Sequence, residues 1–307
     1  MGGIMSDSYY VNKVYINLEF VQDDTLYSDG EVEDRLLDIF RNGVDYQGIL
    51  EESNEWPLLY HLSTQRQNLL NWYSFNEGSD ILEIGAGCGA ITGLFLERKM
   101  NVTAIEYSHK RALINAYRNQ NNNNLEIHVG DFNEINIDKK FDYITLIGVF
   151  EYSGLISKGN YSNIDFLSKV KKMLKPGGEL IIAIENKLGF KYWAGSVEDH
   201  LGRLFSGIEG YDNSMGIETY SKKEMLHLLH QCGFLAPKFY YPVPDYKFCT
   251  QVFSDEYLPR IGQVNDIVNN YDRSRLSYFN AVKSINNIIS SGYFDVFSNS
   301  FLIFAKL

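Results

Sequence analysis

Cysteine is scarce: the chain has 307 residues and three cysteines, Cys88, Cys232 and Cys249. None stands in a CxxC or Cys/His ligand spacing, so no metal centre is expected, and an odd, sparse set fits a reducing, cytoplasmic compartment. Long apolar runs are also missing. No stretch reaches the roughly 20 residues that cross a bilayer. The first ten residues are small and polar rather than a basic segment followed by a greasy one, which argues against a secretion signal. Positive charge is in short supply as well: 28 Lys and Arg against 39 Asp and Glu leave a net charge of −11. A protein that lives on phosphate contacts carries a basic face. The densest basic run, Lys169, Lys171, Lys172 and Lys175, reads as the solvated last turn of one helix. Nucleic acid is therefore not the expected partner.

What is present points elsewhere. With 45% hydrophobic residues the chain can bury a sizeable core. Its 22 tyrosines and 19 phenylalanines suit both that core and contacts with a carbohydrate or aromatic ligand. From Asp80 onward, short β-rich runs alternate with helical patterns, the signature of a parallel α/β sheet with crossover helices. The expected strands are Asp80–Ile84, Asn101–Glu106, 125–129, Phe141–Ile147, 179–184, 238–241 and 301–305. Helices are expected over 90–97, from Ser108 as N-cap, over 163–174 up to Pro176-Gly177-Gly178, and over 221–232. The polar run 119–124 reads as a loop. Residues 1–78, with helical pieces at 31–40 and 63–72, form an N-terminal extension. Residues 79–307 form the main domain, with insertions at about 186–220 and 244–297, the latter expected to be mostly helical. The extension and the insertions are read as a cap for a substrate at the carboxyl edge of the sheet, where open α/β sheets bind ligands.

The sharpest feature is Asp80-Ile81-Leu82-Glu83-Ile84-Gly85-Ala86-Gly87-Cys88-Gly89-Ala90, an apolar strand running into a glycine-rich turn and then a helix. Glycines permit positive φ and close approach of a ligand to the backbone, and a helix start offers free N–H groups. Gly85, Gly87 and Ala90 also satisfy a dinucleotide fingerprint. Glu106 ends the second strand about 20 residues on, where a carboxylate can accept both hydroxyls of a ribose. After the third strand, Asp131 can take an adenine amino group and Phe132 can pack on the ring. Glu83 decides between ligands. A carboxylate there suits the ammonium of an amino acid and would repel a pyrophosphate, which favours S-adenosylmethionine (SAM) over a nicotinamide dinucleotide.

Leu82-Glu83-Ile84-Gly85-Ala86-Gly87-Cys88-Gly89, Glu106, Gly130-Asp131, Phe141-Asp142-Tyr143-Ile144 and Leu174-Lys175-Pro176-Gly177-Gly178-Glu179-Leu180 together resemble the class I SAM-dependent methyltransferases. The resemblance covers about Asp80 to Leu188 and the closing strands. It implies a Rossmann-like, seven-stranded, mostly parallel sheet with helices on both faces and one antiparallel strand at 301–306. It implies SAM as cofactor, with Glu106 at the ribose, Asp131 at the adenine and the glycine loop along the methionine half. The donor set it suggests is Glu83, Gly85, Ala86, Gly87, Gly89, Glu106, Tyr107, Asp131, Phe132, Gly148, Val149, Glu151 and Tyr60. The stretch from Glu185-Asn186-Lys187 through Glu198-Asp199-His200 to Glu209-Gly210-Tyr211, with Trp56 to Ser63, is similar to methyltransferases of bacterial glycan and secondary-metabolite gene sets. That likeness implies a small-molecule or carbohydrate acceptor.

Methyl transfer from a sulfonium is an in-line displacement, so the protein must align the two substrates and, for a hydroxyl acceptor, remove a proton. His200 is the first candidate base because an unperturbed imidazole titrates near neutrality, followed by Glu185 and Glu209. Tyr192 and Trp193 are candidates for an aromatic platform or for packing. Three alternatives stay open on sequence: an NAD(P)-dependent oxidoreductase, a SAM-binding protein without catalysis, and transfer of a carboxymethyl group from a carboxylated SAM. The last would require a cation, for which Lys187, Lys191 and Arg203 are available. The sequence specifies no oligomeric state.

Overall fold

The computed structural model describes residues 8–21, 30–53, 55–156, 162–212, 216–267, 275 and 277–307. Contacts divide the chain into two units, Met1–Thr145 and Leu146–Leu307. In the first unit, β1 (Ser8–Val11) and β2 (Val14–Phe20) form an antiparallel hairpin. There β2 runs parallel to β5 (Leu125–Gly130), β5 to β4 (Asn101–Glu106), and β4 to β3 (Asp80–Ile84). With β6 (Phe141–Ile147), whose last two residues open the second unit, the order is β1-β2-β5-β4-β3-β6. The inner strands are apolar nearly throughout, as parallel strands covered on both faces must be: Val102, Ala104, Ile105, Ile81 and Leu82 are all buried.

Helices of the first unit are α1 (Glu31–Arg41), α2 (Gln47–Glu52), α3 (Trp56–Leu62), α4 (Asn68–Asn71), α5 (Thr92–Glu97) and α6 (His109–Arg118). As expected, Ser108 caps α6: its hydroxyl accepts from the Arg111 N–H, satisfying one of the orphan donors of a helix start. Leu36, Ile39 and Phe40 of α1 pack with Leu58 and Leu62 of α3, Ile114 of α6 and Cys88 of the glycine loop. A buried ion pair, Glu33 with Arg111 at 2.7 Å, ties α1 to α6. Arg118 donates to the His61 carbonyl at 2.6 Å. Residues 31–62 thus brace the glycine loop from behind.

The second unit contains α7 (Ser153–Ile156), α8 (Asn163–Met173), β7 (Leu174–Glu185), α9 (Phe190–Trp193), α10 (Ser206–Glu209), α11 (Lys222–Gln231), β8 (Leu235–Val243), β9 (Gln251–Ser254), α12 (Ala281–Ser290), α13 (Phe294–Phe297) and β10 (Ser300–Lys306). Strand order is β7-β10-β8-β9. The expected antiparallel closing strand is β10, paired from Ser300↔Glu185 to Lys306↔Glu179 on one side and with β8 on the other. Ser162 and Ser221 each make a capping box, with Asp165 and Glu224, at the starts of α8 and α11. No helix among the described residues is long and apolar enough to cross a membrane.

The fold is α/β and Rossmann-like, with three differences from the sequence reading. Among the described residues ten strands stand where seven were expected, because the sequence reading does not include β1, β2 and β9. Val14 and Ile16 alternate correctly for a half-buried strand, but seven residues at a sheet margin carry little pattern. The 244–297 insertion is less helical than expected. Its described residues hold, besides α12 and α13, the strand β9, in which Phe253 and Val252 pair with Tyr241 and Pro242 of β8. Finally, α8 ends at Met173, and β7 begins at Leu174, five residues before the expected start. The residue preceding a proline is pushed toward extended backbone, and here extension begins one residue earlier still.

Candidate functional site

In the first unit, β3 delivers Glu83, and the chain then turns through Gly85, Gly87 and Gly89, with φ of 72°, 55° and 78°. A side chain at any of the three would strain the backbone. The two later glycines serve different ends. A Cβ at Gly89 would strike the Asn115 carboxamide, so packing forbids it. A Cβ at Gly87 would meet no heavy atom within 4 Å. That side of the loop is open space. Gly85 and Ala86 N–H groups donate to the Ile105 carbonyl at 2.8 and 3.1 Å, holding the loop against β4.

Glu106, at the tip of β4, is 7% exposed. Its carboxylate accepts from the Gly87 N–H at 2.7 Å and the Ser108 N–H at 2.9 Å, so one side chain fixes both the glycine loop and the start of α6. Glu83 is buried and accepts from the Thr92 hydroxyl at 2.6 Å, which in turn accepts from Asn115 at 3.0 Å. Burial, opposed by the Thr92 bond and reinforced by the nearby Glu106 charge, pushes the Glu83 carboxyl up to about 8. Asp131 caps the turn after β5, accepting from Asn133 N–H at 2.8 Å, and Phe132 beside it is buried. Tyr107 is half-buried. Tyr60 lies under the Arg66 guanidinium, 4.1 Å from the ring centre.

The second unit assembles a separate, buried ionic cluster. Glu185 ends β7, and its Oε1 lies 2.5 Å from Lys247 Nζ while its Oε2 lies 3.3 Å from His200 Nε2. Tyr152 OH bonds His200 Nδ1 at 2.8 Å, and Glu151 stands 3.8 Å from Nε2. Asp199 joins Lys247 at 2.6 Å, Lys191 at 2.8 Å and the Tyr192 hydroxyl at 2.6 Å. Glu198 organises the turn by accepting from His200 and Leu201 N–H groups and from Tyr211 OH. Gly148, with φ of 67°, donates to Ala183 O at 2.9 Å, and Val149 behind it is buried.

These groups titrate far from their ordinary ranges. Burial alone would lift the Glu185 carboxyl, but Lys247 and then His200 outweigh it and hold it well below the usual carboxylate range. Burial would likewise neutralise His200, yet the Glu185 charge and bond, with Glu151 and Glu198 behind them, raise it to about 9. Glu151 moves the other way, up to about 8, because it is fully buried and its relief from His200 is partly cancelled by Glu185. Both Glu151 oxygens are buried without a hydrogen-bond partner among the described residues. Glu151, Glu185 and His200 offer ligand atoms within 4.8 Å of one another, and Lys247 already supplies a cation there.

Of the sequence candidates, Glu151, Glu185 and His200 are therefore brought together, as are Glu83 and Glu106. Glu209 is exposed at the end of α10 and takes no part in the cluster. The reason for choosing His200, a pKa near neutrality, does not hold in the fold: it is ion-paired and keeps its proton to about 9. Lys187 pairs with Glu224 at 2.5 Å, and Lys191 pairs with Asp199, so two of the three cations considered for a carboxylated donor are engaged. Tyr192 is buried on Asp199, which separates it from the exposed Trp193 as a shared platform. Sequence reasoning missed Lys247 and Tyr152, neither of which stands in a recognisable spacing.

The raised His200 value sets a pH dependence of stability. Its contribution is complete below about 6.5, the ordinary imidazole value, and is lost as pH climbs through about 9. Urea unfolding between pH 6 and pH 10 is expected to show a fall to which His200 contributes on the order of 3 kcal/mol, and His200→Gln should make that fall shallower. An equally steep fall in the variant contradicts the ion-paired assignment.

Residues 82–180 match the model of a family described as a methyltransferase domain. No curated protein matches the chain. Among solved structures, phosphoethanolamine N-methyltransferase 2 of Haemonchus contortus, in complex with S-adenosyl-L-methionine, is 15% identical over 87% of this chain and 59% of its own, with a TM-score of 0.49. This chain thus spans 59% of the length of that enzyme. A SAM-dependent methyltransferase from Archaeoglobus fulgidus is 15% identical over 86% of this chain and all of its own, with a TM-score of 0.49. One from Aquifex aeolicus is 16% identical over 84% and 97%, at 0.44. The matched segment, about a third of the chain, contains the β3–glycine turn, Glu106 and Gly130-Asp131, so it is this part of the chain that is similar to a methyltransferase domain.

Proposed function

We propose that the chain is an enzyme that transfers a methyl group from SAM to a hydroxyl of a small-molecule or sugar-like acceptor. The observation that carries the donor assignment is Gly87: left-handed backbone with open space at its Cβ position, beside the buried carboxylates Glu83 and Glu106. These residues fit an adenosyl amino acid. Glu106, held by the Gly87 and Ser108 N–H groups, offers a carboxylate to the ribose hydroxyls. Asp131 accepts from the adenine amino group and Phe132 packs against the ring. Gly85, Ala86, Gly87 and Gly89 shape the backbone along the methionine portion, with Tyr107 beside the ribose position. When bound, SAM supplies an electrophilic methyl on a sulfonium.

Glu83 meets the ammonium of the amino acid. Because its carboxyl is held near 8, it must lose a proton to do so, and binding is linked to pH. Affinity should rise with pH up to about 8 and level off above it, with a limiting slope of roughly tenfold per unit.

For a hydroxyl acceptor we assign the proton to the cluster around His200. Glu185, clamped by Lys247 and His200, is a weak base. His200 is an imidazolium up to about 9 and serves to orient and neutralise. Glu151 has unused lone pairs and a carboxyl that ionises near 8, and in its ionised form it receives the proton. Residues 1–78 and the two insertions are proposed to contribute the acceptor cap.

Calorimetric titration with SAM tests the donor half. Gly87→Val should abolish binding and Asp131→Ala weaken it by about tenfold or more, with circular dichroism unchanged, while Glu83→Gln should remove the pH dependence. Unaltered affinity in the first two variants refutes the site. A panel of hydroxyl-bearing sugars and small molecules, with S-adenosylhomocysteine release as readout, tests the acceptor half. Turnover of a hydroxyl acceptor lost in Glu151→Gln at unchanged SAM affinity is expected. Full turnover in that variant removes Glu151 from the reaction.

A further inference from the structure

The one-turn helix α9 has two sides with different employment. Lys191 and Tyr192 point inward, both bonded to Asp199 of the ionic cluster, at 2.8 and 2.6 Å. Phe190 and Trp193 line a cavity of about 360 Å³, together with Phe279, Phe297 and four residues of α12, Lys283, Ser284, Asn287 and Ile288. The cavity's wall and the cluster's ligands are thus consecutive residues of one short helix.

Its lining is chemically mixed in a specific way. Phe190 and Phe279 have ring centres 5.8 Å apart, and Trp193 meets Phe297 edge-on at 6.3 Å. The indole is anchored by its edge, Nε1 donating to Leu188 O at 3.2 Å, and is 43% exposed. Such a large exposed aromatic in a concave setting marks a contact surface. Lys283 and Asn287 stand four residues apart on α12 and so share one face. Lys283 is the charged member of the lining, and it has no ion-pair partner among the described residues. An unpaired ammonium in a cavity lining, in a chain of net charge −11, complements a negative ligand.

We infer that this cavity binds a six-membered ring bearing a carboxylate, the ring lying on the Trp193 and phenylalanine faces and the carboxylate on Lys283, with Asn287 taking a ring hydroxyl. Calling that ligand the methyl acceptor rests on the methyltransferase reading above; the binding does not. An acidic sugar, with its C–H face, and a hydroxylated aromatic acid share the required chemistry.

Saturation-transfer NMR and calorimetry on the full chain test it, with glucuronate, 4-hydroxybenzoate, neutral methyl glucoside and acetate as probes, each with and without SAM. Glucuronate or 4-hydroxybenzoate should bind saturably, and the tighter of the two names the source. Trp193→Ala should abolish that binding. Lys283→Gln should weaken it about tenfold while leaving methyl glucoside unaffected. Acetate binding as tightly as the ring acids, or ring-acid binding indifferent to both substitutions, overturns the inference, as does absence of binding by both ring acids. SAM affinity in the same samples separates the failures: SAM bound without either ring acid sinks the cavity alone, whereas loss of SAM binding in the unmodified chain sinks the donor reading.

Discussion

One carboxylate holds the donor side of this protein in shape. Glu106 accepts from Gly87 N–H and Ser108 N–H, so the glycine loop after β3 and the first turn of α6 cannot move independently. Charge-assisted bonds of this kind are stronger than neutral ones, and both donors belong to backbone that has no intrahelical partner. The loop is held from the other side too. Cys88 is packed among α1, α3 and α6, and Gly89 abuts Asn115, which also orients Thr92 and through it Glu83. A ligand arriving at Gly87 meets a surface already shaped, and the cost of ordering it has been met in folding.

The ionic cluster of the second unit works by mutual compensation. Single buried charges are expensive, and removing one member of a buried pair leaves the other uncompensated. Here Lys247 stands between Glu185 and Asp199, Lys191 between Asp199 and Asp245, and His200 between Glu185 and Glu151. The balance leaves Glu151 as the group nearest its switching point at working pH, as a proton acceptor requires. Because the groups interact strongly, their titration belongs to the set. Retaining so much buried charge is a structural expense that packing alone does not call for.

Much of this was legible in the residues. The β3–glycine turn, the acid at the tip of β4, the Asp131 turn and the existence of the closing strand all carry local signals, glycines at fixed offsets, apolar runs and caps, while the antiparallel direction of that strand came from the family resemblance. What escaped was tertiary. The β1–β2 hairpin and β9 gain their stability from strands far away in sequence, β5 and β8, so their own short patterns say little. Lys247 reaches Glu185 across 62 positions of chain, and no spacing rule connects them. The protonation of His200 was misjudged for the same reason, since its neighbours in space, rather than Glu198 and Asp199 alone, set its charge. Conversely, Glu151 was noted as a donor contact, and only the fold joins it to Glu185 and His200.

The central claim is that the turn after β3 holds an adenosyl amino acid. A crystal structure of the protein grown with S-adenosylhomocysteine tests it most directly. The account predicts that compound lying over Gly87, with its ribose hydroxyls on Glu106, its adenine at Asp131 and its amino group at Glu83. An empty loop at saturating ligand, or the same turn filled by a nicotinamide dinucleotide in a parallel soak, would contradict it.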